Sequence, residues 1–239
     1  MCERPAVEYH EIAARLGFKA AHYSPYGDTG MITKIKRLLV FGLLIILTSA
    51  FLMACSSSAK SPRLASNAVI LAFGDSLTFG TGATLTESYP AILERLVARR
   101  VVNSGVPGEV TAGGLSRLPE VLAREKPALL ILCHGGNDLL RRLDRQQTAN
   151  NLRAMIRLAR ERGVAVVIIA VPAPGIALSP PSFYREIAEE MKIPIEEEAL
   201  TMVLSDGSLK SDYIHPNAAG YRRLAESVVA LLKKSGMVE

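Results

Sequence analysis

Cysteine is scarce in this chain, and so is histidine. Of 239 residues three are cysteines, Cys2, Cys55 and Cys133, and only Cys133 falls beyond residue 55. A disulfide framework within the main body of the chain is therefore excluded, even in an oxidising compartment. Histidine occurs four times, at His10, His22, His134 and His215, which leaves few candidate bases. No block of like charge is present, and the formal net charge is only +5, so nucleic-acid binding is not indicated. No internal repeat is visible. Gly80-Thr81-Gly82-Ala83 lacks the third glycine of a dinucleotide fingerprint, and no lysine turns it into a phosphate loop. No metal or organic cofactor is expected. The G-x-S-x-G nucleophile elbow is missing too, because Ser76 stands in Gly74-Asp75-Ser76-Leu77-Thr78, which argues against an α/β-hydrolase.

The front of the chain carries a leader. Lys34, Lys36 and Arg37 precede a 15-residue, mostly apolar run from Leu38 to Leu52, too short for a comfortable membrane span but built like a secretory signal. Leu52-Met53-Ala54-Cys55 resembles a bacterial lipoprotein signal, in which Cys55 receives lipid and becomes the mature N-terminus; the alternative is an uncut signal anchor. A basic region placed behind 33 residues would enter the export machinery poorly. Translation is therefore expected to start at Met31, with residues 1–30 an upstream extension assigned in error. Residues 31–54 form the signal, 55–67 a Ser-rich tether, and 68–236 one folded domain. Losing residues 1–54 removes six basic and four acidic groups, leaving 22 and 19 over 185 residues, a charge near +3. That length suffices for one core. The expected location is the bacterial cell envelope, exported and lipid-anchored facing the periplasm. Ser56 resembles a signal for sorting to the outer membrane.

Beyond the tether the pattern alternates. Apolar runs rich in β-branched residues occur at 69–73, 101–102, 128–133 and 164–171, with a shorter fifth near 193–195. Between and after them lie helix-like segments at 87–100, 114–126, 144–162, 181–192 and 217–234. In the third, Leu152, Met155, Ile156 and Ala159 share one face and arginines the other. Continuous apolar strands alternating with helices predict an α/β fold with a parallel sheet of about five strands, covered on both faces. Sites in such folds gather at the carboxyl ends of the strands. There the chain places "GDSLTFG", "NSGVPGEVT" and "HGGNDLL" after the first three strands. The fourth loop, Pro172–Pro181, is apolar and reads as a wall for an acyl chain.

A serine nucleophile needs a base, and the base needs a group to fix its tautomer. Ser76 ends the first strand. His215 sits in "SDYIHPNAAGY", with Asp212 three residues before it; such a turn can set the carboxylate beside Nδ1 and leave Nε2 facing Ser76. Pro216 keeps that turn separate from the following helix. The bland alternatives are that Ser76 caps a helix and that Asp212 or Asn217 caps the last one. Oxyanion donors could come from the Ser76 N–H, the Gly108 N–H and the Asn137 amide, although a turn glycine and an Asx turn would account for the last two.

The blocks "FGDSLTFG", "VVNSGVPGEVTAGGLSRLP", "GGND" and "DYIHPN" together resemble the SGNH (GDSL) hydrolases, near the bacterial arylesterase, acyl-CoA thioesterase I and lysophospholipase branch. The likeness runs from about Val69 to Leu232. It implies a flavodoxin-like three-layer α/β/α fold, with Ser76 as nucleophile, His215 as general base and Asp212 as its orienting partner. It also implies an oxyanion hole of Ser76, Gly108 and Asn137, with Asp75 supporting the loop. Cys133 and His134 stand where the resemblance leads one to expect apolar or small residues. His134 reads as a satisfied strand-end histidine or as a residue tuning the cleft. The expected activity is serine-dependent hydrolysis of aryl or acyl esters, thioesters or lysophospholipids. The expected partners are a small ester or lipid substrate and, through Cys55, a membrane. Two alternatives keep the fold: an envelope carbohydrate O-deacetylase on the same triad, and a non-catalytic envelope lipoprotein that only binds.

Overall fold

A computed structural model describes residues 62–175 and 178–239, together with Lys34, residues 37–40 and Gly42. Those early positions are helical. The rest of the leader, Cys55 and the tether up to Ser61 lie outside the described residues. Among the described residues no helix is long and apolar enough to cross a membrane.

Five strands, β1 (Ile70–Gly74), β2 (Val101–Gly105), β3 (Leu129–Cys133), β4 (Ala165–Ile169) and β5 (Ile195–Glu196), form one sheet in the order β2-β1-β3-β4-β5. Every pairing is parallel, with Ile70 beside both Val101 and Leu129, Leu129 beside Ala165, and Ile168 beside Ile195. All five residues of β1 and of β3 are buried, which is why they read as unbroken apolar runs. The edge strand β2 runs three residues past the expected Val102. Its second half, Asn103-Ser104-Gly105, is polar because an edge strand is only partly covered.

The helices follow from right-handed crossovers. Moving from β1 to β2 places α2 (Tyr89–Val97) on one face, and reversing past β1 to β3 places α3 (Thr111–Glu125) on the other. On the first face α2 packs against the last helix, α8 (Ala218–Lys234); on the second, α3 packs against α5 (Arg145–Arg160). The result is the three-layer α/β/α arrangement expected from the sequence. α6 (Phe183–Met191) also matches expectation, whereas α7 (Ala199–Ser205) was not anticipated. Two short helices, α1 (Ser76–Phe79) and α4 (Gly136–Leu140), start almost directly at the ends of β1 and β3.

The packed unit extends past the expected 68–236 at both ends. Leu64 is buried in the core, its N–H donates to the Met237 carbonyl at 2.9 Å, and Met237 and Val238 are themselves buried. Arg99 clamps this junction by donating to the carbonyls of Leu64 and Ala65. Leu64 precedes β1 and Arg99 stands just before β2, so this junction sits at the amino edge of the sheet.

Candidate active site

The sheet order reverses between β1 and β3, so the chain diverges there and leaves a crevice beyond the carboxyl ends of the strands. Ser76 is the first residue of α1 in that crevice. Capping falls to its neighbour: Asp75, buried, accepts the Leu77 N–H on Oδ1 at 3.0 Å. The Ser76 hydroxyl is thereby left free, and its N–H, first in the helix, has no intrahelical acceptor. Gly105 permits α1 to lie this close, since a Cβ there would collide with the Phe79 backbone. Burial pushes the Asp75 carboxyl up from its ordinary value, opposed in part by His134, the Leu77 N–H and His215.

The last loop brings His215 across. His215 Nε2 lies 3.0 Å from Ser76 Oγ, and His215 Nδ1 lies 2.8 Å from Asp212 Oδ2. Asp212 Oδ1 accepts the N–H groups of Ile214 and His215, both at 2.8 Å. Burial alone would raise the Asp212 carboxyl; the hydrogen bonds from the His215 side chain and from these two N–H groups outweigh it and hold the group below the usual carboxylate range. A carboxylate accepting on one ring nitrogen requires the proton on Nδ1, so Nε2 is the acceptor facing the serine. The cap of α8 is Asn217, whose side chain accepts the Gly220 N–H at 3.1 Å. Asp212 takes no part in it. Of the two capping alternatives, one residue caps and the other serves the histidine.

Asn137, in the first turn of α4, donates from Nδ2 to the Glu109 carbonyl at 3.0 Å and to Asp75 Oδ2 at 3.3 Å. Ser76, Asn137 and His215 line one cavity of about 330 Å³ together with Asp75, Leu140, Val171, Pro172, Pro174, Gly175, Leu178, Leu204 and Ile214. The apolar fourth loop thus forms one wall, as its sequence suggested. Gly108 does not line the cavity; it sits beside Asn137's acceptor Glu109 at φ 77°, its carbonyl bound by Arg141 Nη2 at 2.8 Å. His134 is fully buried and also off the cavity wall, which matches the strand-end reading. Burial pushes the Cys133 thiol far up, so it remains protonated and is no rival nucleophile.

Several wall residues carried no signal in the sequence. Leu204 comes from the unanticipated α7, and Lys210, Tyr213 and Ile214 also line the cavity. Tyr213 and Ile214 lie inside the "DYIHPN" block, but nothing in their type distinguishes a wall from a turn.

Comparison with known proteins gives consistent similarities. Residues 72–223 match the model of the GDSL-like lipase/acylhydrolase family. The chain is 33% identical over 201 residues to esterase TesA of Pseudomonas aeruginosa, covering 76% of this chain and 96% of that protein. It is 28% identical over 202 residues to an arylesterase of Vibrio mimicus, covering 80% and 99%. Among solved structures, a crystal structure of TesA superposes with a TM-score of 0.64 at 33% identity, covering 70% of this chain and 99% of that one.

Proposed function

We propose, from a chain that belongs to the GDSL-like lipase/acylhydrolase family and is a carboxylic ester hydrolase, that Ser76 is the nucleophile of a serine esterase acting on acyl and aryl esters. The observation that carries this reading is the continuous line from Ser76 Oγ to His215 Nε2 at 3.0 Å and from Nδ1 to Asp212 at 2.8 Å.

Ser76 Oγ attacks the ester carbonyl carbon while His215 Nε2 takes the hydroxyl proton. The resulting imidazolium is stabilised by Asp212, whose lowered proton affinity keeps it ionised. Negative charge on the carbonyl oxygen meets the Ser76 N–H and the Asn137 amide, which exchanges its longer bond to Asp75 for the oxyanion. The Gly108 N–H is the third donor in this reading. The tetrahedral species collapses, the C–O bond to the alcohol breaks, and His215 returns the proton to the leaving oxygen. Water then attacks the acyl-enzyme with His215 again as base, releasing the acid and restoring Ser76. The cavity is at the small end of ligand pockets, roughly 300–1,000 Å³, and its apolar wall suits short to medium acyl chains. Thioesters and lysophospholipids share the same carbonyl chemistry and belong to the substrates to be compared.

Hydrolysis of p-nitrophenyl esters from acetate to long acyl chains, measured beside Ser76→Ala, tests the reading. Activity that vanishes in the variant supports it, and the chain-length profile ranks the substrates. Equal activity in both proteins would reduce Ser76 to a helix residue without a chemical role.

The leader supports a second part of the proposal, export followed by lipid attachment at Cys55 and residence in the cell envelope facing the periplasm, at the outer membrane. Cys55→Ala is then expected to leave the membrane fraction with its specific activity intact. Continued membrane attachment of that variant would point to an uncut anchor.

A further inference from the structure

Three loops of the site meet on one carboxylate that does not touch the cavity. Glu109, in the loop after β2, accepts from Arg117 Nε and Nη2 of α3, each at 2.7 Å. It also faces His134 Nε2, at the end of β3, at 3.1 Å. The tautomer of that histidine follows from its other nitrogen: Nδ1 accepts the Gly135 N–H at 3.0 Å, so the proton is on Nε2 and is donated to Glu109. Gly114 makes room for the ring, since a Cβ there would collide with it. Arg117 reaches further. It donates to the Gly74 carbonyl at 3.2 Å, immediately before Asp75 and Ser76, and to Ser104 at the end of β2 through both its carbonyl and its hydroxyl. The guanidinium also lies 3.9 Å over the Phe73 ring.

The same residue that receives these side chains holds Asn137 through its main-chain carbonyl at 3.0 Å, and Gly108 is its chain neighbour. The ends of β1, β2 and β3, each bearing one candidate oxyanion donor, are therefore referenced to a single partly buried charged cluster. None of Glu109, Arg117 or His134 lines the cavity, and each instead bonds to the segments that carry the donors. We propose that these three are positioning residues which set the mutual placement of the Ser76, Gly108 and Asn137 donors. This inference rests on the ester-hydrolase reading above. Oxyanion donors stabilise a transition state only when preorganised, and a misplacement of about 1 Å can cost roughly 10²-fold in rate.

The test uses the full chain and p-nitrophenyl acetate, with wild type and Ser76→Ala run alongside. In His134→Leu and in Glu109→Gln, kcat is expected to fall by roughly 10- to 100-fold while KM stays within about twofold. His134→Gln, whose amide can still donate to Glu109, is expected to recover most of the loss. Added to Asn137→Ala, His134→Leu is expected to cost clearly less than it does alone, because part of its effect passes through the Asn137 donor. Wild-type kcat in folded His134→Leu and Glu109→Gln, with Ser76→Ala inactive, would overturn the cluster and leave the esterase reading intact. Fully multiplicative losses in the double variant would also overturn it. Activity in Ser76→Ala equal to wild type would overturn both readings. Should His134→Leu fail to fold by circular dichroism, Glu109→Gln decides on the same kcat and KM criteria.

Discussion

Asp212 is half exposed, yet three hydrogen bonds hold its carboxyl down and orient it on His215. In the proposed mechanism its use is the choice of tautomer more than the supply of charge. Asp212→Asn keeps the shape but can donate to Nδ1, placing the histidine proton on Nε2 where an acceptor is needed. A fall in kcat of roughly 10³–10⁴ is expected, with circular dichroism unchanged; a loss below tenfold would mean that His215 is oriented by other contacts. Asn137→Ala removes the amide proposed as an oxyanion donor and is expected to lower kcat by roughly 10²–10³ without unfolding the domain, read from steady-state kinetics and a melting curve. Near-normal turnover would take Asn137 out of the chemistry. Ser76, His215 and Asp212 were legible in the sequence because so few histidines compete and because the D-x-x-H turn is local. Glu109, Arg117 and His134 were not legible as a cluster. Their separations of 8 and 25 residues have no periodic meaning, and sequence alone does not reveal that charged side chains will pair in a half-buried position.

Strands β1, β3 and β4 could be placed because burial on both faces leaves a continuous apolar signature, which an edge strand such as β2 cannot show past Val102. Helix α7 follows a run of three glutamates and is only seven residues long, too short for periodicity to register. The ends of the helices carry a second lesson. α3 closes with Lys126 in the left-handed region at φ 44°, its N–H bound to the Leu122 carbonyl. Lys126→Gly removes the Cβ penalty of that conformation but adds freedom to the unfolded chain. A net gain of about 0.5 kcal/mol is expected, or roughly 1–2 °C in Tm by calorimetry. The opposite holds where β2 meets α1. Gly105→Ala would force a Cβ into the Phe79 backbone, so α1 must shift and carry Ser76 with it. Esterase activity is expected to fall steeply along with Tm; an unchanged melting curve and rate would show that the two elements have slack between them.

The stability of the whole molecule inherits a pH dependence from the cluster behind the site. Burial alone would raise the Glu109 carboxyl, but the bonds from His134 and Arg117 bring it from an ordinary 4.5 to about 2. The unfolded chain therefore binds this proton at higher pH than the folded one. The contribution is fully present above about 4.5 and is lost as pH falls toward about 2. The Tm gap between wild type and Glu109→Gln is expected to narrow as pH drops from about 6 to about 2.5; a gap that stays constant in differential scanning calorimetry would place the charge effect elsewhere.

Leu64 and Met237 clasp one another before β1 begins, whereas Ser76 lies past its end. With five residues rising about 3.3 Å each, the two ends of β1 stand roughly 16 Å apart. A bead or fusion partner joined directly at Leu64 or past Val238 therefore grips the floor of the domain, away from Ser76. Tags and solid supports attached there are accordingly expected to leave turnover unobstructed.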